Sequence, residues 1–313
     1  MKKFCFFYLL FIFCLGILNA DITHFFKKTT GKDALYYHQM SNIDFIYTLN
    51  LDQRPEKFAH CQAELAPYGI HPYRFSAVNG WELSLKDINT LGVKYESGMV
   101  TDLWGTYYST DGDFEPHHEV MHMVGRNYFC HCMSRGAIGI VLSHLSILQD
   151  AYDSGYETIW VMEDDIQVIQ NPHRISSLIS KLDKEVGTHN WDILFTDQDT
   201  KNQQGNYVPC LSFARKPNYN PTNIRRFSTR TNEGKEFRKI GARYGAYSMI
   251  VRRSGMKKIL NYFKMSQIFL PYDMEFYLPN DIVMYAVTHD IVSTLPHAIS
   301  DNGGANYKSK STE

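Results

Sequence analysis

Three acidic residues follow one another directly after a short apolar segment near the middle of the chain. Residues 158–162 form a continuous, mostly apolar run, and Glu163, Asp164 and Asp165 come next. Such a run is typical of a strand that is buried on both faces of a parallel sheet. Because like charges repel and burial penalises an ionised carboxyl group, this triplet needs a positive partner at the end of its strand.

Segments with strand and helix patterns alternate on both sides of that run. Strand patterns occupy residues 43–49, 72–78, 158–162, 192–196 and 246–251, and residues 282–287 and 291–295 are apolar as well. Helix patterns occupy residues 56–67, 136–154, 172–184 and a segment that begins at a Ser254 cap. The alternation predicts an α/β fold with a mainly parallel central sheet flanked by helices. Ligands of such sheets bind beyond the carboxyl ends of the strands, where the acidic triplet would lie.

Two long segments do not follow this alternation. Residues 95–135 are rich in Gly, Asp and His, and we expect an irregular inserted loop region there. Residues 200–240 are polar and basic, and they are long for a loop, so they are either functional or mobile. A solvated flap and a flap that faces phosphate are both compatible with that composition.

The first twenty residues have the pattern of a targeting segment. Lys2 and Lys3 precede an apolar run over 4–18, and Ala20 offers a small residue for cleavage. We expect a signal peptide that sends the protein into the secretory pathway, to a periplasmic, lumenal or secreted location. An uncleaved anchor in the inner membrane is the alternative, although the run is shorter than the roughly 20 residues of a spanning helix.

The remaining chain is divided into a lead-in, one domain and a tail. Residues 21–42 form the lead-in, residues 43–300 the domain, and residues 301–313 a polar tail. The 32 basic and 33 acidic residues nearly cancel, which argues against a nucleic-acid binder. The only membrane contact that we expect is through the N-terminal segment.

Four cysteines lie outside the targeting segment, too few for a disulfide scaffold. One or two bridges remain open in an oxidising compartment, but the spacing of Cys130 and Cys132 is too tight for an ordinary pairing with each other. Histidines surround them, so a zinc site is one interpretation, and loop histidines with buried free thiols are the other. The cysteines are Cys61, Cys130, Cys132 and Cys210, and the histidines are His117, His118, His122 and His131.

The acidic triplet also suggests a metal. Hard carboxylate oxygens suit Mg²⁺ or Mn²⁺, and either ion would in turn hold a diphosphate. A solvated acidic turn without a metal is the alternative.

Several blocks of the sequence together resemble glycosyltransferase family 25, which includes bacterial lipo-oligosaccharide galactosyltransferases and collagen galactosyltransferase domains. The blocks are residues 46–55, 74–80, 136–144 with its Ser143-His144 pair, and 160–165, with weaker matches at 245–250 and 271–273. The sequence departs from the family pattern at four positions. Asn79, Ala137 and Ile140 stand where the family usually has Asp, Glu and Cys, and Lys57 stands near a position often filled by Arg.

The resemblance implies a GT-A type fold that transfers a hexose, galactose in the named relatives, with inversion and metal assistance. The donor would be a nucleotide-diphosphate sugar such as a UDP-sugar, and the acceptor a hydroxyl of a glycan, a lipo-oligosaccharide or a protein. It implies metal contacts from Asp165, Glu163 and His297, with Mn²⁺ or Mg²⁺ as the ion. It implies a general base at Asp273, with Asp197 and Asp281 as competitors. The implied donor contacts are Asn50, Arg54, Ala77, Gly80, His144, Glu163 and Asp164.

Two other functions remain open at this point. The first is a secreted non-catalytic protein that binds nucleotide sugars or glycans on the same fold, for which the altered positions Asn79 and Ala137 are suited. The second is a metal-dependent phosphoesterase, which would usually need two metals and further Asp and His ligands.

Overall fold

The computed structural model describes residues 21–32, 40–110, 115–202, 204–295, 298 and 300–303. The predicted targeting segment and the candidate metal ligand His297 lie outside these residues. Within them, no helix is long and apolar enough to cross a bilayer.

The structure alternates strands and helices as the sequence predicts. In chain order the elements are β1 (Phe45–Asn50), α1 (Pro55–Leu65), β2 (Tyr73–Ser76), α2 (Leu85–Leu91), β3 (Val93–Lys94), β4 (Trp104–Tyr108), β5 (Pro116–Val120), β6 (Asn127–Cys130), α3 (Arg135–Asp153), β7 (Thr158–Glu163), β8 (Ile166–Val168), α4 (Arg174–Val186), β9 (Ile193–Phe195), β10 (Arg230–Glu233), β11 (Phe237–Ile240), β12 (Ser248–Arg252), α5 (Arg253–Ser266), α6 (Tyr272–Glu275), β13 (Met284–Val287) and β14 (Val292–Thr294).

An eight-stranded sheet forms the centre of the fold, in the order β10-β11-β13-β9-β12-β7-β1-β2. Strand β7 lies parallel to β1, and β1 lies parallel to β2. The pairings of β11 and β12 with their neighbours are all antiparallel, so these two strands run against the other six. The α/β class is therefore confirmed, with a mixed sheet in which most strands share one direction.

Helices cover both faces of this sheet, because successive strand residues point to opposite sides. Along β7, Val161 joins the cluster that contains helices α3 and α5, whereas Trp160 joins the cluster that contains α1 and α4. Both side chains are almost fully buried. The continuous apolar run of β7 is thus explained by burial on two faces.

The expectation of irregular structure over 95–135 is wrong. Strands β4, β5 and β6 form a second, antiparallel sheet together with β3, in the order β3-β6-β4-β5. The sequence pattern conceals this sheet because β5 is a polar edge strand with alternating exposure, which carries His117, His118 and Glu119. Strand β6 contributes the core residues, among them the fully buried Tyr128 and Phe129.

The basic segment at 200–240 is also structured. Its hairpin β10–β11 extends the main sheet through β13. Arg226 donates to the backbone carbonyls of Tyr277 and Leu278, and Arg230 pairs with Asp199 at 2.7 Å. These two arginines have partners within the domain, so a phosphate ligand is not needed to account for them.

The start of α5 differs from the prediction as well. The N-cap is Arg252, and Ser254 lies inside the helix. The Ser254 hydroxyl donates to the Asp192 carboxylate at 2.6 Å, so it joins α5 to the residue that directly precedes β9. The predicted cap at Ser254 is therefore wrong, because the Ser254 hydroxyl binds a carboxylate outside the helix.

A fully buried ion pair joins the basic segment to the turn before α6. Lys216 Nζ bonds to Glu275 Oε1 and to the carbonyl of Gln267 at 2.5 Å, and neither charged side chain is exposed. Glu275 Oε2 accepts the backbone N–H groups of Phe269 and Leu270 at 3.0 and 2.8 Å. The pair thus orders the chain that leads into α6, the helix that carries Asp273.

We expect Lys216→Met to lower the free energy of unfolding by about 3–5 kcal/mol, because it leaves the buried Glu275 carboxylate without its cation. Urea denaturation measures this loss. Lys181→Met is the matched control, since Lys181 pairs with Glu236 at 3.0 Å on the surface, and such pairs contribute about 1 kcal/mol or less. Equal losses in the two variants would contradict this assignment.

Candidate active site

The carboxyl ends of β1, β2 and β7 meet at one edge of the main sheet, because the three strands are parallel neighbours. A pocket opens there, closed on its other sides by the loop after β2, the start of α3 and residues 300–302. This pocket brings together six of the residues implicated by the sequence. They are Asn50, Ala77, Gly80, Glu163, Asp164 and Asp165.

The three carboxylates have different partners. Glu163 Oε1 lies 3.1 Å from His144 Nε2, and Asp164 Oδ2 accepts a hydrogen bond from Asn50 Nδ2 at 2.6 Å. Asp165 Oδ1 is buried and has no hydrogen-bond partner within the described part of the chain. Since buried polar atoms are nearly always satisfied, this oxygen requires an explanation.

Burial shifts the acid–base properties of two of these groups. Burial, and after it the neighbouring charges of Glu163 and Asp164, together raise the pKa of Asp165 to about 7. Burial also raises the pKa of Asp164 to about 6, against the hydrogen bond from Asn50. Lys57 lowers both values but does not restore them. Within the described residues, Lys57 therefore supplies only part of the positive charge that the sequence predicted beside the triplet.

The donor set fits Mg²⁺ or Mn²⁺ better than a metal that needs a full protein cage. Among the residues that the structure describes, no three His, Cys, Asp or Glu side chains form a metal-binding group, around the cysteines or at the triplet. Mg²⁺ is usually held by one or two carboxylates together with waters and substrate phosphates. Asp165, with its unpartnered oxygen, is the carboxylate that is best placed for such a contact.

A cationic pair lies at the pocket that holds the triplet. Arg54 and Lys57, at the start of α1, both bond to the Asp301 carboxylate, Lys57 at 2.8 Å. Arg54 Nε also donates to Glu56 at 2.6 Å. Lys57 and Asp301 line the pocket. The structure therefore places Arg54 at the pocket's edge with its guanidinium held by carboxylates.

Close backbone contacts fix the wall that α3 forms. A Cβ atom on Gly80 would lie 1.8 Å from the carbonyl oxygen of Arg135, and one on Gly139 would lie 2.5 Å from that of Val78. Only glycine permits this approach. The Ser143 hydroxyl accepts the Val78 N–H at 2.8 Å. The predicted Ser-His pair thus has two tasks, since Ser143 holds the loop and His144 contacts Glu163.

A second pocket adjoins the first and shares Ile140, Glu163 and Asn302 with it. Asp273 lies on its wall, and its Oδ2 accepts the Gly245 N–H at 3.0 Å. Gly245 has a φ of +76°, a conformation that favours glycine. Burial and the nearby Glu163 charge raise the pKa of Asp273, against the Gly245 hydrogen bond.

Two tyrosines that sequence reasoning missed complete this second pocket. Tyr272 stacks on His144 with ring centroids 4.2 Å apart. The Tyr247 hydroxyl donates to Asp197 Oδ2 at 2.6 Å. Both lie in the blocks that carry the family resemblance, Tyr272 beside Asp273 and Tyr247 two residues after Gly245. Their place in these blocks is the sequence signal that could have identified them.

The two competitors of Asp273 lie elsewhere. Asp197 does not line either pocket; it is buried, and it binds Arg243, Tyr247 and Ser293. Asp281 is largely exposed and lies 3.8 Å from Lys258. Asp301 and Asn302 were also missed, because nothing in the polar tail distinguished them.

Comparisons with known proteins agree with the motif pattern. A family model described as glycosyltransferase family 25 (LPS biosynthesis protein) matches residues 43–276. A glycosyltransferase 25 family member from Aedes aegypti is 26% identical over 178 residues, which are 57% of this chain and 24% of that protein. A protein from Homo sapiens named inactive glycosyltransferase 25 family member 3 is 25% identical over 162 residues, 51% of this chain and 23% of that protein. The chain thus spans about a quarter of the length of these relatives.

We expect Asp165→Asn to stabilise the protein without divalent cations at pH 8 by about 1–3 kcal/mol. The pKa of Asp165 is raised in the folded state from 3.8 to about 7, so the native state binds more protons than the unfolded state between these values. Stability from this group is present at low pH and is lost as the pH rises through about 7. The gain should therefore vanish near pH 4.

Urea unfolding in a metal chelator at both pH values measures this difference. Asp281→Asn, at a largely exposed carboxylate, is the control and should change little at either pH. An Asp165→Asn gain that is the same at pH 4 and pH 8 would contradict the shifted pKa.

Proposed function

The chain belongs to glycosyltransferase family 25, and on that premise we propose that it transfers a hexose from a nucleotide-diphosphate sugar to an acceptor hydroxyl, with inversion. The observation that carries this proposal is the pair of adjoining pockets, with Asp165 in one, Asp273 in the other and Glu163 between them. A UDP-sugar donor, galactose as the sugar and a GT-A type arrangement are parts of the proposal. The acceptor would be a glycan, a lipo-oligosaccharide or a protein.

The first pocket would hold the donor nucleotide. It lies beyond the carboxyl ends of parallel strands, where α/β sheets bind their ligands. Asn50, Ala77 and Gly80 line it, and Lys57 supplies a cation there. Arg54 and Lys57 now hold the Asp301 carboxylate, and a diphosphate would offer the same two cations equivalent oxygen acceptors.

Asp165 would hold Mn²⁺ or Mg²⁺ together with the diphosphate, with Glu163 or Asp164 near the ribose or a metal-bound water. Such an ion, when bound, offsets the negative charge that develops on the departing diphosphate. The unpartnered Asp165 Oδ1 supports this assignment. His144 would act on Glu163, since its Nε2 atom lies 3.1 Å from that carboxylate.

Asp273 would be the general base in the second pocket. Its carboxylate would take the proton of the acceptor hydroxyl while the acceptor oxygen bonds to the anomeric carbon. The bond from that carbon to the diphosphate breaks on the opposite face, which inverts the configuration. Because burial raises the pKa of Asp273, it is a stronger base than an exposed aspartate. The Gly245 N–H at 3.0 Å holds one of its oxygens in place.

A binding protein without turnover is the second candidate. Ala137 and Ile140 depart from the family pattern and line the second pocket, and one relative is named inactive. Asn79 departs as well, yet its Oδ1 accepts the Trp81 N–H at 3.1 Å, as an aspartate at that position could. Donor binding without transfer to any acceptor distinguishes this candidate from an enzyme.

We expect UDP, or a UDP-sugar, to raise the melting temperature of the protein only when Mn²⁺ is present, because a ligand that binds the native state alone stabilises it by mass action. Asp165→Ala should abolish the joint shift while the protein remains folded by circular dichroism. Asp281→Ala, outside both pockets, should retain it. An unchanged Mn²⁺-dependent shift in Asp165→Ala would contradict the metal assignment.

Asp273→Asn should retain the joint shift with UDP and Mn²⁺ but lower the transfer rate by about 100-fold or more, the usual contribution of a general base. The measurement is the release of UDP from UDP-galactose in the presence of glycan or lipo-oligosaccharide acceptors. Asp197→Asn is a poor control because it breaks a buried network, so Asp281→Asn serves instead. Normal transfer by Asp273→Asn would exclude it as the base.

A further inference from the structure

Two cysteines approach each other at the end of β6, just before α3. The Sγ atoms of Cys130 and Cys132 are 2.9 Å apart, and neither cysteine is in a disulfide. The sequence spacing predicted no ordinary pairing of these two cysteines with each other. The chain turns back here, with the Met133 N–H donating to the Cys130 carbonyl at 3.0 Å, and this turn brings the sulfurs together.

The two thiols differ in exposure and acidity. Cys132 is exposed, whereas Cys130 is buried. The hydrogen bond from Cys130 lowers the pKa of Cys132 to about 7, and the same bond together with burial raises the pKa of Cys130. A thiol with a lowered pKa that reaches solvent is the reactive partner in thiol–disulfide exchange. The pair thus combines an accessible attacking thiol with a second thiol in contact with it.

We propose that Cys130 and Cys132 are a redox modification site that closes reversibly to a disulfide. The oxidant is a low-molecular-weight disulfide, for which glutathione disulfide is the probe. The Cys132 thiolate attacks one of its sulfurs, a mixed disulfide forms, and one glutathione thiolate leaves. Cys130 then loses its proton, its sulfur bonds to that of Cys132, and the second glutathione leaves. Both electrons pass to glutathione disulfide, which ends as two thiols.

The position of the pair makes the modification relevant to the second pocket. The Cys130 N–H donates to the Phe269 carbonyl at 2.8 Å, close to the turn that carries Asp273. The Asp273 charge acts on Cys132. Ser134, two residues further on, caps α3 and donates to the Asn302 carbonyl at 2.5 Å. The targeting segment predicted at residues 1–20 would carry the chain to an oxidising compartment, where such a bond persists.

The other two cysteines serve as controls within the same chain. Cys61 is buried in the core cluster that contains α1 and α4, and burial raises the pKa of its thiol to about 12. Cys210 is buried as well. Neither should react with glutathione disulfide in the folded protein, because the reactive form of a cysteine is the accessible thiolate.

The test equilibrates the purified protein in buffers of increasing glutathione disulfide to glutathione ratio, alkylates free thiols and maps the peptides by mass spectrometry. In the wild type we expect the peptide that contains both cysteines to escape alkylation and to lose two hydrogen masses, reversibly on reduction. Cys61→Ser and Cys210→Ser should behave like the wild type. Cys130→Ser should stop at a glutathione adduct on Cys132, and Cys132→Ser should react at least about 10-fold more slowly.

Three results would overturn the proposal. The first is full alkylation of both cysteines across the oxidising range. The second is a glutathione adduct on Cys132 that persists in the wild type without conversion to the Cys130–Cys132 disulfide. The third is a bond from either cysteine to Cys61 or Cys210. Thermal melts of the serine variants, and a Cys130→Ala replacement, separate these results from misfolding.

Discussion

The end of strand β7 is the constraint on which the site depends. Strand β7 is buried on both faces, and three acidic residues stand at its carboxyl end, Glu163 as its last residue and Asp164 and Asp165 directly after it. Their neighbours are set by the strand order, which places β7 between β1 and β12. Asn50, at the end of β1, is therefore at hand for Asp164. Asp165 has no such neighbour, so its burial is not offset by a hydrogen bond to Oδ1 within the described chain.

Helix α3 joins this constraint to the rest of the domain. It is the most buried helix, and it approaches the loop after β2 so closely that Gly80 and Gly139 admit no side chain. The same helix turns Ser143 toward that loop and His144 toward Glu163. A change in the packing of α3 would thus move a wall of both pockets. This accounts for the Ser143-His144 pair on a helix whose buried residues are mostly apolar.

The matched family region ends at residue 276, yet the domain does not. Strand β13 lies beyond it and pairs with β9 and β11 inside the main sheet. Residues 300–302 return to the first pocket, where Asp301 meets Arg54 and Lys57. Segments beyond the matched region therefore complete both the sheet and the site. The basic segment at 200–240 also supports the site, since the buried Lys216–Glu275 pair joins it to α6, the helix that carries Asp273.

The sequence by itself determined the α/β class, the strands around the triplet, helices α1, α3 and α4, and the family. These follow from local signals: an apolar run of strand length, a helical repeat, or a short motif at one place in the chain. Only the tertiary structure decided that 95–135 forms a sheet, that Asp197 is enclosed while Asp273 lines a pocket, and that Asp301 faces Arg54. Each of these depends on contacts between residues far apart in the chain. The polar edge strand β5 and the tail carry no apolar periodicity, so their local sequence does not indicate which residues they contact.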